Sequence, residues 1–286
     1  MKKYFSLVLF AHSVFALPFA MIGFFLGLMD STKPFNWLLF VLVILCMVFA
    51  RNAAMAFNRY LDRNIDAKNP RTSMRDIPAG RVSAREALLF VIVNCVLFIA
   101  TTYFINNLCF FLSPIALFVV LFYSFTKRFT ALCHVVLGVG LALAPIGAYI
   151  AVTGHFALVP VLYSFAVLFW SSGFDIIYAL QDEGFDKEEK LHSIPAALGI
   201  KNALRLSEAL HVCSALCVIA TLFFIPFTWV YYIGIAFFCF MLIYQHLLVK
   251  PNDISRVNRA FATTNGYASV VFAACFLVDA FMRTNF

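Results

Sequence analysis

Apolar stretches long enough to cross a bilayer recur along the whole chain, and no other feature of the sequence narrows its fold so far. A helix needs about 20 predominantly apolar residues to span the hydrocarbon core. Roughly nine such stretches can be read, at 5–28, 36–58, 84–105, 108–124, 132–153, 156–180, 203–224, 228–249 and 261–282. The shortest, 108–124, contains Pro114, where a kink is expected. With 63% of residues hydrophobic and 12% charged, the chain lacks the polar surface of a water-soluble domain. It reads as an all-α membrane protein, a single domain over 1–286 with about nine transmembrane helices. The opening MKKYFSLVLFAHSVFALPFA has the basic start and apolar centre of a signal peptide. Its apolar stretch continues to Leu28, however, so a first membrane helix is expected instead.

Basic residues set the orientation. With the N-terminus placed in the cytoplasm and nine spans alternating, only Lys33, Arg51 and Arg283 of the 21 Lys and Arg fall outside the cytoplasmic segments. The net charge of +7 is then explained by positive-inside topology, and no nucleic-acid partner is expected. The eight cysteines lie in or beside apolar stretches, without a C-x-x-C pair. Cys213 and Cys217 are one turn apart, but no His or carboxylate joins them at zinc-site spacing. They are expected to serve as small buried hydrophobes.

Two hydrophilic connections, 59–83 and 181–202, follow the second and sixth spans and therefore open on the same membrane face. Each carries acids at helical spacing. In FNRYLDRNID, Asn58, Asp62 and Asp66 drift only about 80° around a helix and share one face, and Arg51 comes round to the same stripe. In DIIYALQDEGFD, with Asp175 as origin, Tyr178, Asp182 and Asp186 fall at about −60°, −20° and +20°. Crowded carboxylates raise one another's pKa unless positive charge lies among them. Arg59 and Arg63 fall off the Asp62 stripe, so a divalent cation with oxygen ligands is the expected counter-charge. Mg2+ takes one or two protein carboxylates and completes its shell with water and phosphate oxygens. Asn58, Asp62, Asp66, Asp182 and Asp186 are therefore the candidate metal ligands, with a diphosphate implied beside them.

Asp175 lies about two turns inside the sixth span, and Arg51 lies within the second. Ionisable groups at that depth are functional by default, with snorkelling the plain alternative for Arg51. The connection YSFTKRFT puts Tyr123, Lys127 and Arg128 on the same side as the acids. Adjacent cations there suit a diphosphate leaving group, although an ordinary positive-inside loop has the same composition.

Together these residues resemble the UbiA superfamily of membrane prenyltransferases, over nearly the whole chain. RNAAMAFNRYLDRNIDAKNPRT is similar to the family's first Asp-rich motif, N-x-x-x-D-x-x-x-D, and DIIYALQDEGFDKEEKLHSIPAALG to its second, D-x-x-Y-A-x-x-D-x-x-x-D. YSFTKRFT resembles the Y-x-x-x-K-R-x-T loop, HSVFALPFAMIG the first helix, and FATTNGY a segment of the last. The resemblance implies nine transmembrane helices around a central cavity, two Asp-rich motifs on the cytoplasmic side, and Mg2+ required to bind a prenyl diphosphate. YALQD and HSIPAALG look most like bacterial 4-hydroxybenzoate polyprenyltransferases and their relatives in menaquinone synthesis. Two positions depart from the pattern: Asp76 stands where Pro is common, and Lys190 where Gly is common.

By this resemblance the chain, in the bacterial inner membrane with its N-terminus cytoplasmic, moves a polyprenyl group from polyprenyl diphosphate to a 4-hydroxybenzoate-type acceptor in quinone biosynthesis. A dihydroxynaphthoate acceptor is the alternative, and haem farnesylation or chlorophyll-type prenylation also stay open. Arg51, Tyr123, Lys127 and Arg128 would hold the diphosphate and assist its departure. A dry cavity lined by aromatic rings would protect and stabilise the allylic cation that remains. Asp175 would polarise the acceptor, Tyr178 would orient it, and the polyprenyl tail would leave sideways into membrane lipid. From another class, a transporter would place Arg51 and Asp175 on an ion pathway and break helices at Pro18, Pro114 and Pro145. Against it, the acids cluster at one face instead of the midplane.

Overall fold

The computed structural model describes residues 15–31 and 34–284. The start of the first expected span, with Lys2 and Lys3, and also Lys33, lie outside the described residues. The described chain is helical throughout, with no strand. Its helices are α1 (Leu17–Asp30), α2 (Trp37–Lys68), α3 (Ala84–Tyr103), α4 (Asn107–Thr126), α5 (Cys133–Thr153), α6 (Leu158–Ala179), the short α7 (Glu183–Glu188), α8 (Ile194–Ala220), α9 (Trp229–Leu248) and α10 (Asn265–Arg283). Eight helical segments are long and apolar enough to cross a membrane; α1, with 14 described residues, is shorter.

Most ends fall close to the apolar runs, with two informative exceptions. α2 continues to Lys68 and α8 begins at Ile194, well outside 36–58 and 203–224. Hydropathy marks where a helix meets lipid, whereas backbone hydrogen bonding carries it on through polar sequence. Local chemistry explains the other ends. Ser83 and Glu86 form a reciprocal capping box at the start of α3, and Asn106 caps α4 through Cys109 N at 2.8 Å. Pro114 does not break α4. It leaves the Phe110 carbonyl without its helical donor, and Ser113 Oγ supplies one at 2.8 Å.

Consecutive helices pack side by side, from α2 through α6 to α8, α9 and α10, and α10 returns to α1. α1 also packs along α5, which divides the bundle into two lobes. The contact is backbone-close: a Cβ on Gly23 would lie 2.0 Å from the Pro145 carbonyl oxygen. The lobe of α1, α5, α6, α8, α9 and α10 is built around a buried aromatic core. Phe19, Trp170, Phe238 and Phe272 stack edge and face within it. Tyr163 and Tyr231 share a hydrogen bond of 2.7 Å there. The lobe of α1 to α5 is hollow. The expected central cavity therefore belongs to one lobe. Most of the large buried aromatics fill the other, so the expectation of an aromatic-walled cavity holds only for a few rings named below.

The expectation for the cysteines is corrected. Cys133 alone is buried, Cys213 is exposed, and the other six are half-buried. An apolar run marks a helix as lipid-compatible on all sides, so it does not say which side faces protein.

The loops beside the acidic motifs explain both departures from the family pattern. Asp76 accepts from Arg81 Nε at 2.8 Å, and its carbonyl receives Arg81 N and Val82 N, so it ties off the 69–83 connection. Lys190 sits at φ +55°. Its N–H reaches the Lys187 carbonyl at 3.3 Å, and Leu191 N reaches the Asp186 carbonyl at 2.8 Å. This is the Schellman arrangement, in which a left-handed residue ends a helix and glycine is preferred.

Two stability predictions follow from these geometries. Gly23→Ala drives a Cβ into backbone and is expected to cost about 2 kcal/mol or more, read as a lower unfolding temperature in detergent. Unchanged stability would refute the α1–α5 contact. Lys190→Gly is expected to stabilise by up to about 1 kcal/mol, and Lys190→Val to destabilise, because a β-branched side chain tolerates φ > 0 worst.

Candidate active site

The ends of α2 and α6 that carry the two acidic ladders come together at one end of the bundle. Helical spacing works as read on α2, where Asn58 Nδ2 donates to Asp62 Oδ2 at 3.0 Å, one turn on. The second ladder crosses a 3-10 turn at Leu180–Asp182 before α7 resumes. Two sets of cross-links then join the ladders. Lys127 and Arg128, neighbours just past α4, divide between them. Lys127 Nζ lies 2.7 Å from Asp186 Oδ1, and Arg128 Nη2 donates to Asp62 Oδ1 at 2.8 Å.

The segment that follows the first ladder makes the second set. Asn69 Nδ2 and Arg71 Nε both donate to Asp182 Oδ1 at 3.0 Å, and Arg71 Nη2 takes Asp182 Oδ2. Arg71 Nη1 donates to the Tyr178 hydroxyl at 2.8 Å, with the guanidinium 5.1 Å from that ring. Burial alone would lower the Arg71 pKa, but its hydrogen bonds to Asp182 and Tyr178 outweigh that and hold it above the usual value. Lys68 pairs with Glu189 at 2.6 Å, and Arg75 Nη1 with Asp66 Oδ1 at 2.7 Å.

The expectation that basic side chains do not neutralise these acids is thereby corrected. All four aspartates have a side-chain cation, because the cations arrive from loops that helical spacing on one segment does not reveal. Arg63 is turned away as expected, onto the Tyr60 carbonyl at 2.7 Å. Arg59 is not: it lies within electrostatic range of Asp66, Tyr123 and Tyr178. Its buried Nη1 has no hydrogen-bond partner among the described residues. Its helical angle puts Arg59 off the acidic stripe, and only its position next to Asn58 hints at a role.

The donor set nevertheless fits a hard divalent cation. Asp186 is fully buried, and its ion pair with Lys127 is off the hydrogen-bonding direction. Neither of its carboxylate oxygens has a hydrogen-bond partner among the described residues, and the same holds for buried Asp66 Oδ2. Such orphaned anionic oxygens are costly unless something positive completes them. Among the described residues no three Asp, Glu, His or Cys side chains are grouped so that they could hold a metal ion by themselves. An open arrangement suits Mg2+, which draws one or two carboxylates from protein and the rest of its shell from elsewhere.

Beside the acids lies a cavity of about 470 Å³ in the hollow lobe. It runs along α2 from Val43 to Met55, along α4 from Cys109 to Tyr123, and along α5 from Leu137 to Ala151. Its wall is almost wholly apolar, with Phe15, Phe98, Phe156, Phe174 and Phe261 contributing rings. Arg51, Tyr123 and Asp175 line it, together with the thiols of Cys46 and Cys109. Tyr178, one turn beyond Asp175 on α6, does not line the wall; it stacks on Phe261 at 4.2 Å and engages Arg71. The π-helical turn Arg259–Thr264 carries Phe261 to this place, and Asn265 Nδ2 satisfies the Ala260 and Phe261 carbonyls at 3.0 Å.

A further residue went unread in the sequence. His134 Nδ1 is 2.7 Å from Asp175 Oδ2, across 41 positions of chain. No spacing rule connects the two. The helix breaks that a transport pathway required are also missing: α4 and α5 run on through Pro114 and Pro145, and Pro18 sits in the first turn of α1.

Comparison with known proteins agrees with this architecture. Residues 16–275 match the UbiA prenyltransferase family. A 4-hydroxybenzoate octaprenyltransferase of Tolumonas auensis is 31% identical over 228 residues, 79% of each chain. Another, of Thiobacillus denitrificans, is 30% identical over 250 residues, covering 85% of this chain and 82% of its own. The apo structure of a UbiA homologue from Aeropyrum pernix K1 superposes with a TM-score of 0.84 at 32% identity, over 94% of this chain and 98% of that one. A UbiA homologue from Archaeoglobus fulgidus, bound to GPP and Mg2+, shares the fold with a TM-score of 0.73 at 24% identity, over 97% and 99% of the two chains. With most of its length matched and its two acidic ladders joined beside an apolar cavity, the chain belongs to the UbiA prenyltransferase family.

Proposed function

We propose that this protein transfers a polyprenyl group from polyprenyl diphosphate to an aromatic hydroxy acid of the 4-hydroxybenzoate type, in a divalent-metal-dependent step of quinone biosynthesis. The observation that carries this reading is the junction of two acidic ladders, bridged by Lys127 and Arg128, next to an apolar cavity that holds Arg51 and Asp175. Relatives named 4-hydroxybenzoate octaprenyltransferase support the donor and acceptor. Archaeoglobus homologues bound to GPP or DMAPP with Mg2+, and to Cd2+, support the metal. The basic residues on the acidic side support a cytoplasmic face for the site, with the N-terminus on that side of the bacterial inner membrane.

Asn58, Asp62, Asp66, Asp182 and Asp186 would hold the metal, preferably Mg2+. When bound, that ion supplies Lewis-acid neutralisation of the diphosphate. Lys127 and Arg128 would turn from their carboxylates to phosphate oxygens, with Arg59 a further cation near Asp66, and Arg51 and Tyr123 would hold the diphosphate from the cavity wall. As the allylic C–O bond breaks, the cavity keeps water from the carbocation, and the faces of Phe174 and Phe261 meet positive charge favourably. The acceptor's ring carbon ortho to its hydroxyl forms the new C–C bond. A base then removes the ring proton, and the electron pair of the broken C–H bond restores aromaticity, with pyrophosphate as the other product. Asp175, the carboxylate on the cavity wall, would receive a hydrogen bond from the acceptor hydroxyl.

Two measurements test this. Asp62→Ala and Asp182→Ala are each expected to lower metal-dependent transfer in membranes by at least about 100-fold at near-normal protein level; full activity in either removes the metal assignment. Membranes given a radiolabelled polyprenyl diphosphate with 4-hydroxybenzoate or a dihydroxynaphthoate are expected to label the benzoate. Labelling of the naphthoate alone would overturn the acceptor.

A further inference from the structure

The histidine behind Asp175 carries an inference that rests on the proposed reaction and deepens it. His134 is the second residue of α5 and is only 4% exposed. Its two ring nitrogens have different partners. Nε2 lies 3.3 Å from the backbone N of Ile194, the first residue of α8. A backbone N–H can only donate, so Nε2 must be the accepting, unprotonated nitrogen. The ring proton therefore sits on Nδ1, which donates to Asp175 Oδ2 at 2.7 Å. A doubly protonated ring would set Nε2–H against Ile194 N–H, two buried donors face to face.

The surroundings hold this arrangement in place. Ser193 caps α8 through Ala196 N at 3.3 Å and so fixes the turn from which Ile194 N–H points. The preceding residue is pinned to the cationic loop, with His192 N donating to the Lys127 carbonyl at 2.8 Å and Cys133 Sγ meeting the His192 carbonyl at 3.5 Å. His134 thus sits between the loop that crosses the acidic ladders and the carboxylate on the cavity wall.

We propose that His134 is a positioning residue for the acceptor step: a neutral imidazole, locked in its Nδ1–H form by the start of α8, which orients the Asp175 carboxylate so that Oδ1 meets the acceptor hydroxyl. A neutral donor suits this task. It fixes the carboxylate without placing a permanent cation beside the allylic carbocation, where a lysine or arginine would repel it. Because His134 touches Asp175 and not the diphosphate machinery, its loss acts on the acceptor and leaves the donor's binding intact.

The test compares His134→Leu with His134→Gln in membranes, with 4-hydroxybenzoate as acceptor and a polyprenyl diphosphate as donor. Glutamine keeps one donor for Asp175 and one acceptor for Ile194 N–H, whereas leucine keeps neither. Leucine is expected to lower kcat/KM for the acceptor about 10- to 100-fold, the worth of one hydrogen bond to a charged group. The donor KM is expected to stay within about twofold, and glutamine to restore acceptor kcat/KM to within about threefold of wild type. Leucine and glutamine losing activity equally, or donor and acceptor parameters falling together with the unfolding temperature, would assign His134 a structural part only and overturn the proposal. An unchanged leucine variant would overturn it too. If wild-type membranes transfer no prenyl group to this acceptor, the fault lies with the proposed reaction and not with His134.

Discussion

The structure depends on how four aspartates from two distant segments are kept together at the rim of a membrane. At an effective dielectric of about 20, two like charges 4 Å apart repel by about 4 kcal/mol. The chain meets this with cations that reach across the gap instead of along one helix. Arg71 belongs to the first motif's loop yet binds the second motif's Asp182, and adjacent Lys127 and Arg128 take one carboxylate from each. Every such pair is also a tie between helices. The ends of α2, α4 and α6 are thus held in one place by the same charges that make the place useful.

Beneath this rim the division into a solid and a hollow lobe follows from one backbone contact. Gly23 lets α1 lie against the carbonyl of Pro145, and Gly173 similarly admits the His211 ring, whose Nε2 would be 2.4 Å from a Cβ there. These approaches let α1, α6 and α8 close tightly around Trp170 and its neighbours. The aromatic mass collects on that side as core. What remains between α2, α4 and α5 is lined by Ala, Gly, Val and Leu with few rings, a smooth apolar passage suited to a flexible hydrocarbon. Rigidity on one side and vacancy on the other are two outcomes of the same packing.

Legibility in the sequence followed the range of the interactions. Apolar runs marked the spans, and the four-residue ladders of Asn58–Asp62–Asp66 and Asp182–Asp186 were readable because one turn of helix is a local rule. Lys190 could be noticed as odd, but only its φ of +55° shows that the position ends α7 in a glycine-type cap. The partners were not readable. Arg71 and Asp182 are 111 positions apart, and His134 and Asp175 are 41 apart. The half-exposed cysteines are hard to read for a related reason: in a membrane, outward-facing positions are as apolar as inward-facing ones, so composition loses the contrast that reveals a core in water.

The balance of charge at the rim bears on how substrate enters. Asp62, Asp66, Asp182 and Asp186 face Arg71, Arg75, Lys127 and Arg128, with Arg59 in addition, so the resting cluster is close to neutral. A divalent cation arriving alone would compete with four established ion pairs and leave an excess of positive charge. A free prenyl diphosphate would find those cations already engaged and would add repulsion from the carboxylates. The two arriving together carry a net charge of only about −1 for one ion and a fully ionised diphosphate, so the pairs can exchange partners without either sign accumulating in a weakly screened site. Under the proposed function, carboxylates released by Lys127 and Arg128 would be free to hold the metal, and those two cations would be free to meet phosphate. On that reading the ion pairs of the resting structure would hold both sets of side chains beside the pocket until their partners arrive together.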